Sequence, residues 1–68
     1  MNQTPLDRIP EAQRLVTFCL THGMNHNTIA ARIGTSSRTI YRWSKGEHGP
    51  QREDDLKALR KLAAALEE

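Results

Sequence analysis

Arg38, Tyr41, Arg42 and Lys45 fall at i, i+3, i+4 and i+7, the spacing that gathers side chains onto one side of a helix. Their shared chemistry is donation. Two guanidinium forks, one ammonium and one phenol present a dense set of N–H and O–H groups with three positive charges. Such a stripe fits a polyanion whose groove is as wide as a helix and lined with acceptors, and the major groove of B-DNA is one. A charge run alone is more often an ordinary solvated face, so the weight rests on what flanks it.

The flanking sequence supplies a scaffold. Residues 25–45, NHNTIAARIGTSSRTIYRWSK, predict two short helices joined by a tight turn. Asn25 is placed to cap the first, over about His26 to Ile33, through its side-chain oxygen. Gly34 ends that helix, because a residue without Cβ enters the left-handed region at no steric cost. Ser36 stands where a second N-cap belongs, and the second helix runs from Ser37 to about Lys45 before Gly46. On it Ile40 and Trp43 share a face that points back to Ile29, Ala30 and Ile33. The cationic stripe lies on another side.

Residues 24–50 resemble the helix-turn-helix of the Cro/phage-repressor (xenobiotic-response-element) family. Ala30 stands at the family's small position in the leading helix and Gly34 at its turn. Ile40 and Trp43 match its apolar pair, and Trp43, Gly46 and Pro50 match its exit pattern. The segment from Leu62 to Leu66 matches its terminal LAxxL, so the likeness spans roughly residues 12–66. Two features depart from it. Ser44 stands where the family often has a Glu paired with an Arg in the first helix, so that ion pair is not expected. The stretch between Pro50 and LAxxL is longer by about one helical turn.

The resemblance implies roles residue by residue. Ser37, Arg38, Thr39, Tyr41 and Arg42 occupy the positions that meet base edges. His26 and Asn27 open the leading helix, which in the family faces the DNA backbone. Lys45, His48, Gln51 and Arg52 flank the reading helix as phosphate contacts.

Length and charge set the frame. Sixty-eight residues make one domain, marginal when alone because a short chain buries a modest share of its surface. One Trp, one Tyr and one Phe leave an aliphatic core. Net charge is only +2, but its distribution is uneven: in residues 26–52 five cations face Glu47 alone, leaving +4. Concentrated positive charge is the electrostatic footprint of nucleic-acid binding. No apolar run is long enough to span a membrane and no secretory leader pattern opens the chain. The single Cys19 forms no internal disulfide, which fits a reducing compartment, and a bacterial cytoplasm or nucleoid is expected.

Residues 1–9 read as a loose arm, broken by Pro5, with the first helix starting near Pro10. Arg8 in that arm is read as part of a frayed terminus before it is read as a DNA contact. Ala12, Leu15, Val16 and Cys19 give that helix a core face, and Gly23 ends it. Cys19, His22 and His26 have a C-x-x-H-x-x-x-H spacing. Cys19 falls on the apolar face and no fourth ligand is evident, so no metal site is expected. No nucleophile, phosphate-loop or metal-hydrolase pattern occurs, and neither an enzyme, a cofactor nor a small-molecule substrate is expected.

Residues 46–52 read as a loop, and residues 53–67 as a C-terminal helix that Glu53, Asp54 and Asp55 open at its positive dipole end. That helix is read as reaching Glu68 at most. Leu56, Leu59, Ala63 and Leu66 form its stripe, with Leu62 beside it. The stripe is expected both to close the core and, through Leu59, Leu62 and Leu66, to pair two copies. The expected fold is therefore all-α, a small bundle of four to five helices containing a helix-turn-helix. The resemblance implies a homodimeric repressor of phage, plasmid or mobile-element type on a palindromic double-stranded operator, possible autoregulation included. An antitoxin-like interaction module and a DNA-targeting adaptor for a recombinase or packaging enzyme are the competing readings.

Overall fold

Capping residues set the helix boundaries in the middle of the chain. In the computed structural model, which describes residues 5–67, the Asn25 side chain accepts the Thr28 N–H at 2.8 Å. Helix α2 follows over His26–Ile33. At Gly34 the backbone turns left-handed, φ 92°, and the Gly34 and Thr35 N–H groups both return to the Ala30 carbonyl. Left-handed geometry strains any side chain with a Cβ, which explains glycine here. Ser36 then accepts the Thr39 N–H at 3.2 Å and opens α3, Ser37–Lys45. Both helices have the bounds the sequence predicts. Because Ser36 holds one of the orphan donors of α3, Ser36→Ala should cost about 1 kcal/mol. A thermal melt should fall by roughly 4–8 °C for that loss in a domain this small.

Two longer helices enclose this unit. Helix α1 covers Pro5–Thr21 and α4 covers Glu53–Glu67. Among the described residues the fold is four α-helices without strands. Helix α3 packs on α1 and α2, and α4 packs on the same two helices. Ala12, Val16, Cys19, Ile29, Ile40, Leu56 and Leu59 are fully buried, and Trp43 is 3% exposed. The aliphatic core thus forms at the junction of all four helices, with Trp43 as its one large ring.

Two expectations are corrected. Residues 5–9 are not a loose arm, since α1 begins at Pro5 and carries Pro10 inside it. Proline forfeits one helical hydrogen bond, but tertiary contacts hold the turn before it. Arg8 Nη1 donates to the Gln51 carbonyl at 2.7 Å, and Ile9 packs on Gly49. The first four residues of that expected arm, and an extension of α4 to Glu68, lie outside the described residues. The second correction concerns Leu59, which is fully buried in the core of a single chain and is not a surface for pairing. Leu62 and Leu66 are half-buried against the same core and keep an exposed edge.

An ion pair ties the bundle at the side away from the core. Arg60 on α4 donates from both Nε and Nη2 to the Glu11 carboxylate on α1, the latter at 2.9 Å. Gln13 on α1 reaches the Ser44 carbonyl near the end of α3 at 3.4 Å. A neutral side-chain contact therefore links α1 to the residue after Trp43, where no ion pair was expected.

Candidate nucleic-acid interface

Burial of Ile40 and Trp43 fixes the rotation of α3, and that rotation decides which side chains meet solvent. Arg38 and Lys45 are exposed, Tyr41 is 49% exposed, and Arg42, Ser37 and Thr39 are half-buried. At 1.5 Å per residue the nine-residue helix is roughly 13 Å long, short enough to lie within a groove. Among the described residues no acidic side chain forms an ion pair with Arg38, Arg42 or Lys45. The first turn of α3 also carries no acid. Within the described residues the cationic stripe therefore carries no direct ion pair.

Helix α2 extends the same surface at one end. The His26 ring lies 5.8 Å from the Tyr41 ring, centroid to centroid, in a tilted arrangement. Lys45 Nζ stands 5.4 Å from the Tyr41 centroid, close enough for a cation–π attraction of about 0.5–1 kcal/mol at an exposed site. Tyr41 thus has both a cation and an imidazole as neighbours. Asn27 is exposed beside His26.

Along another side, α3 and the loop 46–52 border an open cleft of about 400 Å³. Thr39 and Arg42 line it from α3, and His48, Gln51 and Arg52 line it from the loop. The structure therefore joins two of the expected base-reading residues to three of the expected phosphate contacts. Ser37, Arg38 and Asn27 lie outside this cleft. Thr35 and Asp55 also line it, and sequence reasoning misses both. Asp55 is legible only as an acid in the first turn of α4. Nothing local signals that the first turn of α4 faces α3 across this cleft.

Hydrogen bonding limits what two of these groups do. Thr39 Oγ1 is 2.9 Å from Ser36 Oγ within the cap, so its oxygen is already engaged in a hydrogen bond inside the protein. Arg52 lies 3.7 Å from Asp54, with both side chains more than three-quarters exposed. An exposed pair of that kind is worth little and exchanges readily for another anion.

The spaced Cys19, His22 and His26 do not converge. Cys19 is buried, and desolvation pushes its thiol pKa up, away from the thiolate that ligates metals. His22 stacks on Phe18 at 4.0 Å, with Nδ1 2.8 Å from the Phe18 carbonyl, whereas His26 faces Tyr41. Among the described residues no group of three or more His, Cys, Asp or Glu is placed to hold a metal ion. No helix among them is long and apolar enough to cross a membrane.

No protein-family model, curated protein or solved structure matches this chain.

Proposed function

We propose that this chain binds double-stranded DNA in a sequence-selective way and acts as a small transcriptional repressor of the Cro/phage-repressor kind, working by operator occupancy. The observation that carries this reading is the stripe of cations on α3, which no acid pairs directly among the described residues. Arg38 and Lys45 are exposed and Arg42 is half-buried on a short capped helix whose other side is anchored by Ile40 and Trp43. A rigid helix with donors on its free side is what direct readout in the major groove requires. The cleft beside it collects His48, Gln51 and Arg52, which suit the phosphates flanking such a groove.

Salt dependence tests the electrostatic part. Fluorescence anisotropy with a labelled duplex should give log Kobs falling linearly with log salt, each neutralised phosphate adding about 0.9 to the slope. Binding that is insensitive to salt would contradict the reading.

Operator selectivity also favours two copies, because one short helix covers too few base pairs. The proposal is a two-fold dimer through α4, using the exposed edges of Leu62 and Leu66, on an imperfect palindrome. Half-site centres should lie about 34–36 Å apart, one helical turn. Light scattering is expected to give twice the 7.7 kDa chain mass for the free protein and the duplex mass plus two chains for the complex. A monomer both free and bound would remove the dimer from the account.

A further inference from the structure

The first turns of α1 meet the loop that carries the expected phosphate contacts, and they meet it at two points. Arg8 Nη1 donates to the Gln51 carbonyl at 2.7 Å, across 43 positions of sequence. One residue on, Ile9 lies so close to Gly49 that a Cβ added there would meet Ile9 Cγ1 at 2.9 Å and Ile9 Cα at 3.0 Å. Between these contacts Pro50 is fully buried. Arg8 Nε is itself buried without a hydrogen-bond partner, so among the described residues the directed contact of this guanidinium is the one from Nη1 to Gln51. Backbone hydrogen bonds tie the two ends of the loop to α3 and α4, and α1 contacts its middle at Gly49 and Gln51.

We infer that Arg8 is a positioning residue. By holding the Gln51 carbonyl while Ile9 seats Gly49, it fixes the direction in which His48, Gln51 and Arg52 leave the loop toward the cleft beside α3. This rests on the proposed DNA binding for its consequence but not for the clamp itself. The physical logic is preorganisation: a loop already ordered loses less conformational entropy when it engages a phosphate. Arg8 is a cation whose Nη1 donates to the protein's own Gln51 carbonyl.

The experiment uses Arg8→Ala, Arg8→Lys and Gly49→Ala in the full chain. Gly49→Ala disturbs the same junction without altering charge, which separates positioning from loss of a cation. Trp43 emission and a thermal melt establish that each variant keeps its core. In the DNA-free protein, amide order parameters at His48, Gln51 and Arg52 are expected to fall from about 0.85 to below about 0.6 in Arg8→Ala and Gly49→Ala. The amides of α3 should not change, and Arg8→Lys, which retains a donor, should lie nearer to wild type. On a mixed-sequence duplex, both disruptive variants should lower the salt slope by about 1–2, because one or two phosphates go unneutralised at about 0.9 each.

Loop order parameters that stay at the wild-type value in both disruptive variants overturn the clamp. A slope reduced in Arg8→Ala but intact in Gly49→Ala overturns positioning, because Arg8 then acts only through its charge. A wild-type chain that fails to bind duplex at low salt overturns the proposed function instead, and the order parameters still decide the clamp.

Discussion

Trp43→Ala is expected to leave the chain unfolded or nearly so at 25 °C. The indole is 3% exposed and packs in the same cluster as Ile40, Ile29, Val16 and Leu59. Truncating a buried aromatic of this size costs about 3–5 kcal/mol, through lost transfer energy and the cavity left behind. Native domains have only about 5–15 kcal/mol in hand, and a chain of this length sits toward the low end. No other large ring lies in the core to close over the space, since Phe18 is half-buried at the edge. Circular dichroism should show most helical signal lost, with no cooperative melt. Tyr41→Ala, on the exposed side of the same helix, is the control and should melt close to wild type. A Trp43→Ala protein that melts cooperatively within a few degrees of wild type would show that the core does not depend on this ring.

The second large effect concerns selectivity. Arg38 and Arg42 lie one turn apart on the solvent side of α3 without an acidic partner among the described residues. A guanidinium pairs bidentately with guanine O6 and N7, so G·C pairs are expected opposite both arginines in each half-site. Removing either should cost about 1–3 kcal/mol and relax preference at one position. Lys45 and Arg52 should behave differently. Their loss should weaken binding to all sequences alike and flatten the salt dependence. Titrating each variant on a selected operator and on its single-base substitutions separates the two behaviours. If Arg38→Ala and Arg42→Ala weaken every duplex equally, these side chains hold phosphates and do not read bases.

Local chemistry dictates what can be read from the sequence. The bounds of α2 and α3 follow from Asn25, Gly34, Ser36 and Gly46, because a cap is a contact among residues three or four apart. The rotation of α3 follows from the spacing of Ile40 and Trp43. The start of α1 does not follow, because Pro10 argues locally for a helix beginning there. The contacts that extend the helix back to Pro5 run to Gly49 and Gln51, some forty positions away. The burial of Leu59 escapes for a related reason. Periodicity identifies the apolar side of α4, but not how much of that side α1 and α2 already cover. The cleft beside α3 is half legible: Arg42, His48, Gln51 and Arg52 are expected near the same ligand, whereas Thr35 and Asp55 arrive there only through the path of the loop.

The central claim, that α3 reads duplex DNA, is tested most directly by selecting bound duplexes from a random-sequence pool with the wild-type chain. The expected result is enrichment of an inverted repeat with two G·C pairs in each half, one for each arginine, and half-site centres about 10–10.5 base pairs apart. The enrichment should vanish when the selection is repeated with an Arg38→Ala, Arg42→Ala double variant that keeps its wild-type melt. A pool that stays random with the folded wild-type chain, or a motif that persists unchanged in the double variant, would contradict it.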